Sequence, residues 1–467
     1  MMAPTHDLII IGAGPAGMAA ACTAAALGLK TLLLEEQPHP GGQIYRNITQ
    51  VPPQVAAVLG PDYLHGRALA ERMQQSGVDY RSGAMVWEIT QDLIVTVQQD
   101  DRSYRVRAPQ IIAATGAMER PSPLPGWTLP GVLNAGAAQI AMKTSASVPQ
   151  GPVALVGAGP LLLLVACQLL EAGAEVAAVV QTAPRENLTE AMRHLPSALG
   201  APQYLLKGIK MLWRLHRAGI PMYHGSSEVR LEGSERVQQL HFRAAGQTHT
   251  LAANVVLLHH GVVPNTQLSR QLRVDHRWDA LNQYWYPVVD EGGQTSLTGF
   301  RIAGDGAGIA GARAAEPAGI LAAAHAARAL GKLDATAFHA LAGPAQVEHA
   351  RQLKIRPFLD ALYRPPQWLA NPGDETIVCR CEEVSAGKIR EMARLGCQGP
   401  NQTKFFSRCG MGSCQGRMCG LSVTQILSTE LGKTPEQVGA YHIRTPLKPI
   451  PLGSLAALAE TEPLAAE

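Results

Sequence analysis

The 467 residues can fill several cores, so two to four domains are expected rather than one. A net charge of +3, with no long run of Lys or Arg, excludes nucleic acid or an anionic membrane as the main partner and leaves a small molecule or another protein. With 46 glycines and 5% aromatic residues, the composition favours tight turns and close backbone approach to ligands.

The N-terminal "MMAPTHDLIIIGAG" has no basic segment, and its apolar run is too short for a signal peptide or a span, so a cytoplasmic chain is expected. "DLIIIGAGPAGMAAACTAAALGLKTLLLEEQ" reads as strand, glycine turn, Ala-rich helix and second strand ending in acid, a βαβ unit. Gly12, Gly14 and Gly17 form GxGxxG, and Glu35 stands eighteen residues past the last glycine. The glycines permit the turn, backbone approach to a pyrophosphate and close helix–strand packing. The helix N-terminus offers free N–H groups to phosphate, and Glu35 can accept from ribose hydroxyls. Three short strands ("MVWEIT", "LIVTVQQD", "SYRVRA") follow, before "QIIAATG".

A second glycine turn opens in "VALVGAGPLLLLVACQLLEAGAEVAAVV", so two doubly wound modules are predicted. Gly157 and Gly159 are present, but Leu162 takes the third glycine position. Gln181 stands where an NAD site places an acid, and Arg185 is a poor substitute for an NADP-binding arginine. Whether an adenine nucleotide still binds there is left open; productive NAD(P)H chemistry is not expected. Residues 183 to 218 read as helical, and "FRIAGDGAGIAGARAAEPAGILAAAHAARAL" as strand, turn and long Ala-rich helix.

Cys22 and Cys167 fall in apolar helices and read as core residues. The other six cysteines crowd the last hundred positions. Cys379 and Cys381 are two apart, which in extended chain points both thiols to one side with α-carbons roughly 6 to 7 Å apart. Cys414 follows after 32 residues and Cys419 after four more. Between them "SAGKIREMARLG" reads as a helix capped by Ser385 and stopped by Gly396, and "NQTKFFSRCG" as another. Four thiolates can hold zinc or an iron–sulfur cluster, and spacing alone leaves both open.

Several motifs carry a resemblance. "IIAATG" (Thr115, Gly116) and "RIAGDG" (Gly304, Asp305) resemble the paired motifs of two-dinucleotide-binding flavoproteins of the glutathione-reductase and thioredoxin-reductase kind. In "HPGGQIYR", Gly41, Gly42 and Gln43 resemble that superfamily's flavin-contacting loop. The resemblance implies FAD at the first turn, with Asp305 on the ribityl chain. A two-electron flavin beside the thiols favours a one-electron [2Fe–2S] centre as an exit for electrons. The cysteine pattern itself resembles the bacterioferritin-associated-ferredoxin-like module, which implies Cys379, Cys381, Cys414 and Cys419 as ligands. The second pair departs from the commoner C-x-x-C, so Cys409 is the alternative fourth ligand, otherwise a thiol beside the cluster; Cys397 reads as core.

From "GAGPAGMAAA" through "GGQIYR" and "LHHGVVPNTQL" to "GPNQTKFFSRCGMGSCQGRMCG", the chain resembles the alpha subunits of bacterial dye-linked dehydrogenases. These include the A subunit of opine oxidase, D-hydroxyproline and L-proline dehydrogenase alpha subunits, and the FAD subunit of hydrogen cyanide synthase. The implied fold is α/β, with two Rossmann-like domains and a small helical [2Fe–2S] domain. Expected boundaries are 1–119 with 263–330 for FAD, 120–262 for the degenerate second module, 331–372 for a linker helix, 373–450 for the cysteine domain and 451–467 for a tail. The implied role is electron relay. A second flavoprotein subunit oxidises a C–N bond of an amino acid, imino acid or opine, a quinone or dye accepts the electrons, and any membrane association comes through the complex. The alternatives are glycine oxidation in hydrogen cyanide synthase and a stand-alone NAD(P)H-dependent reductase. His259, His260 and Glu316 lie near expected flavin loops, and no catalytic residue stands out.

Overall fold

The computed structural model describes residues 4–461. Two five-stranded parallel sheets organise the body, as the repeated glycine turns predict. In the first, Leu8–Ile11 lies between Thr31–Leu34 and Gln110–Ala113, with Asp79–Arg81 and Phe300–Ile302 at the edges. In the second, Val153–Gly157 lies between Val176–Gln181 and Val255–His259, flanked by Met222–Tyr223 and Val132–Asn134. The central strands are continuous apolar runs because both faces are covered.

Antiparallel three-stranded sheets, Met85–Ile89 with Ile94–Gln99 and Arg102–Arg107, and Ser227–Glu232 with Gln239–Ala244 and Gln247–Ala252, extend the two modules. The chain leaves the first module through Ala117–Glu119 and returns through Val262–Pro264, and these two segments pair antiparallel. Helices Pro15–Ala26 and Ala312–Ala329 pack closely because their contact is made of small residues: a methyl at Gly319 would overlap the carbonyl oxygen of Ala16, and one at Gly304 would lie 2.9 Å from the Ala16 methyl.

Helices Ala335–Leu353 and Arg356–Leu362 lead to the cysteine segment. There Ala386–Arg394 is capped by Ser385, whose hydroxyl accepts the Lys388 N–H at 3.3 Å, and Pro400–Ser407 and Gly420–Leu431 complete a small apolar core. This segment is fixed to both modules. Trp127 donates its ring N–H to the Ile377 carbonyl (2.6 Å), and Gln425 reaches Gln283 (3.0 Å). The Leu447 N–H bonds the Trp87 carbonyl at 2.9 Å.

The tail shows no core pattern in sequence, yet Leu452–Thr461 forms a helix against strand Arg102–Arg107, with Ser454 and Leu458 buried. Its last residues, 462–467, lie outside the described residues. Among the described residues, no helix is long and apolar enough to cross a membrane.

Candidate cofactor sites

The first glycine turn, the following acid and the remote motifs meet at one place. Gly12 abuts the Ala114 carbonyl, and a methyl at Gly17 would overlap the carbonyl oxygen of Gly12, so strand and helix approach as the motif requires. Glu35 is buried. One of its carboxylate oxygens accepts the Ala13 N–H (2.7 Å) and the other the Gln37 N–H (2.9 Å), while burial pushes its pKa upward. Gly41 donates its N–H to the Ala13 carbonyl (2.8 Å), which lays Gly42 beside Gly14. Gly116 touches Gly306, next to Asp305, and Thr115 is half-buried beside it. One Asp305 oxygen accepts from the Ala310 and Gly311 N–H groups (2.9 and 2.8 Å); its second oxygen has no partner among the described residues.

The side of Gly14 that would carry a Cβ is open, with only the Gly42 α-carbon at 3.8 Å. That is where backbone must approach a pyrophosphate. An open cradle between two helix N-termini, a buried carboxylate and a half-free aspartate fit a dinucleotide such as FAD.

Sequence reasoning missed Lys143. Its ammonium is buried and bonds the carbonyls of Gln43 (3.1 Å) and Ile44 (2.9 Å) and the Gln139 side chain (2.9 Å), fixing the Gly41–Gln43 loop from a helix of the other module. With no carboxylate among these partners, burial pulls its pKa down to about 7.

The second glycine turn differs at the equivalent spot. Gly157 abuts the carbonyl of His259 as Gly12 abuts that of Ala114, so His259 occupies the place of a methyl side chain in the first module. Its imidazole fills the cradle: Nε2 and Cδ2 lie 2.9 and 3.0 Å from where a Cβ of Gly159 would stand. Glu119 holds the ring, accepting from Nδ1 at 2.7 Å and from the Gly136 N–H at 2.8 Å. A carboxylate only accepts, so Nδ1 carries the proton and Nε2 faces the turn. Leu162 is buried in the core, and Gln181 is engaged by His224 (3.1 Å). Arg185 lies against Gly225. What narrows the place a pyrophosphate would take at this turn is thus His259, supported by Glu119, and not the buried Leu162. His260 is buried on Ser122 (2.8 Å), and Glu316 pairs with His65 (2.9 Å).

In the cysteine segment the sulfurs of Cys379, Cys409 and Cys419 all lie within 4.8 Å of one another, buried among Val378, Ile389, Val423 and Ile426. The Cys414 thiol is a neighbour of Cys381. The structure therefore brings together a buried trio that includes Cys409 and a pair, Cys381 with Cys414; Cys397 is buried outside the trio. The glycine richness of "CGMGSCQGRMCG" has a local cause. Gly410, Gly416 and Gly420 wrap the Tyr441 ring, whose hydroxyl donates to the Cys409 carbonyl at 2.8 Å, and a Cβ at Gly412 would collide with Cys381. Crowded together, Cys409 and Cys419 pull the Cys379 pKa strongly down while their own are pushed up. An all-sulfur, buried donor set fits a thiophilic metal or an iron–sulfur cluster, which would let further thiols ionise.

Comparison with known proteins follows this division. The pyridine nucleotide-disulphide oxidoreductase family model matches residues 6–331, and the sarcosine oxidase A3 domain model matches residues 374–459. The chain thus belongs to the pyridine nucleotide-disulphide oxidoreductase family and is an oxidoreductase of the FAD-dependent kind. Within it, the chain belongs with the A subunits of opine oxidase: the Agrobacterium tumefaciens (strain Ach5) protein is 45% identical over 98% of this chain and 92% of its own length. The HcnB subunit of hydrogen cyanide synthase from Pseudomonas protegens is 32% identical, covering 96% of each chain. Among solved structures, L-proline dehydrogenase from P. horikoshii shares the fold with a TM-score of 0.69 and 20% identity, covering 96% of this chain and 79% of that one.

Proposed function

We propose that this chain is the FAD- and [2Fe–2S]-carrying electron-relay subunit of a multi-subunit dehydrogenase or oxidase acting on the C–N bond of an amino acid, imino acid or opine. The observation that carries the reading is the contrast between the two turns: the cradle at Gly14 is open, while His259 fills the one at Gly159, in a chain that also holds a buried thiol trio and a second thiol pair. Bound FAD supplies two-electron chemistry and the cluster one-electron chemistry.

On this reading Gly12, Gly14, Gly17 and Glu35 hold the adenosine and pyrophosphate, Gly41, Gly42 and Gln43 border the flavin, and Thr115, Gly116, Gly304 and Asp305 position the ribityl chain. Lys143 fixes the bordering loop. Cys379, Cys381, Cys414 and Cys419 hold the cluster, with Cys409 beside it. Residues 1–119 and 263–330 form the FAD unit, 120–262 the second module and 373–450 the cluster unit. The relatives' names as subunits support assembly with other subunits; on this reading one of these is a flavoprotein that carries the substrate site. A quinone or dye is the expected acceptor, and the complex is cytoplasmic or held at a membrane by other subunits.

The filled second turn disfavours a stand-alone NAD(P)H reductase. Mixed anaerobically with NADH or NADPH, the purified chain is expected to keep its flavin oxidised over minutes. Co-purified with its untagged neighbours, it is expected to pass electrons to an artificial dye from an opine, amino acid or imino acid. Rapid stoichiometric bleaching by a nicotinamide nucleotide, or substrate-driven dye reduction by the isolated chain, would contradict the relay reading.

A further inference from the structure

Between the cysteine segment and the body lies a cavity of about 70 Å³, walled by Gln267, Arg270, Tyr284 and Trp285 on one side and Arg417 and Tyr441 on the other. One water needs roughly 10–15 Å³ of such space, so there is room for a group of several heavy atoms. Neither turn and none of the thiols lines it.

Its polar lining is unfinished. Arg270 Nη2, Trp285 Nε1 and Gln267 Oε1 are all buried and all lack a hydrogen-bond partner. Native interiors pair the great majority of such groups, and three unpaired atoms around one cavity point to something that belongs between them. Arg270 is the sharpest case. It makes no ion pair with any described carboxylate, and its guanidinium lies over the face of Trp285, 4.9 Å from the ring centroid. A ring face balances part of the charge, but it accepts none of the in-plane N–H groups. Burial pulls the guanidinium pKa down to about 10, with no acid to offset it. A buried Nη2 left without an acceptor is unfavourable unless a group that can accept from it joins it.

From this geometry we propose that the cavity is a binding site for an oxyanion group, held by Arg270 and the Trp285 N–H. The donor pattern narrows the choice further. Arg270 and Trp285 want an acceptor with negative charge, while Gln267 Oε1 wants a donor. A singly protonated phosphate meets all three; a carboxylate meets the first two. Because Arg417 and Tyr441 form the opposite wall, and Tyr441 also bonds the Cys409 carbonyl, an occupant joins the cysteine segment to the body.

The test is calorimetric titration of the full, cofactor-loaded chain with sodium phosphate and, separately, sodium acetate, with chloride holding ionic strength constant. Saturable binding of phosphate, of acetate or of both is expected, and the stronger of the two identifies the ligand's group. Arg270→Gln is expected to weaken that binding by about 10- to 100-fold, the equivalent of losing a charged hydrogen bond, with flavin and iron content unchanged. Gln267→Leu serves if that variant does not fold; it is expected to weaken phosphate by about fivefold and leave acetate unchanged. Absence of saturable binding by either anion overturns the proposal. So does wild-type affinity in Arg270→Gln, or, where that variant fails to fold, wild-type phosphate affinity in Gln267→Leu.

Discussion

Cys379→Ser is expected to abolish the cluster, leaving a yellow chain without iron or sulfide. Cys379 belongs both to the ligand set implied by the sequence and to the buried trio, as Cys419 does. Its sulfur lies within 4.8 Å of those of Cys409 and Cys419, in an apolar pocket where serine oxygen cannot replace a soft ligand. The neighbours divide the remaining positions. Cys419→Ser is expected to lose or badly destabilise the cluster, and Cys414→Ser likewise. Cys409→Ser is expected to keep the visible spectrum with a shifted potential, because a serine beside the cluster changes its surroundings and not its ligation. The geometry makes this a demanding comparison, since Cys409 and Cys419 both stand close to Cys379. Cluster retained in Cys419→Ser and lost in Cys409→Ser would transfer the fourth ligand to Cys409 and leave the flavin reading intact.

Asp305→Ala is expected to strip FAD while leaving the cluster. The free carboxylate oxygen is the one placed for a flavin-chain hydroxyl, and a charged hydrogen bond of that kind contributes about 1.5 to 3 kcal/mol, or roughly 10- to 150-fold in affinity. The other oxygen holds the Ala310 and Gly311 N–H groups at 2.9 and 2.8 Å, so truncation also loosens the turn that starts helix Ala312–Ala329. Both effects lower flavin affinity. Flavin per chain after gel filtration reads the result, with Asp305→Asn as the conservative control. Wild-type flavin occupancy in Asp305→Ala would remove the role given to this motif.

What could be read in the sequence was local. The strand–turn–helix units, their acid, and the helices between the cysteine pairs follow from periodicity, glycine spacing and caps within about thirty residues. The α/β fold with parallel sheets emerges as the motifs imply. Features made by long-range register could not be read that way. His259 looks like a polar loop residue until strand Val255–His259 pairs with Val153–Gly157 and sets it opposite Gly157. Its holder, Glu119, is 140 residues away and ends the segment that leaves the first module. Lys143 sits on an unremarkable helix, and only folding lays the Gln43–Ile44 carbonyls over it. Cys409 enters the thiol group because three glycines close around Tyr441, a residue more than twenty positions beyond them. One sequence signal was available: each module has its own strand-end segment, and setting "AATG" beside "LHHG" would have shown a histidine where the open site has alanine.

The central claim is that one chain carries both a flavin and a one-electron centre. Its most direct test is analysis of the purified, anaerobically handled protein for flavin, iron, acid-labile sulfide and zinc. The account predicts about one flavin, two iron atoms and two sulfides per chain, with zinc absent. Zinc bound to the thiols with no sulfide, or cluster iron in a chain that retains no flavin, would contradict it.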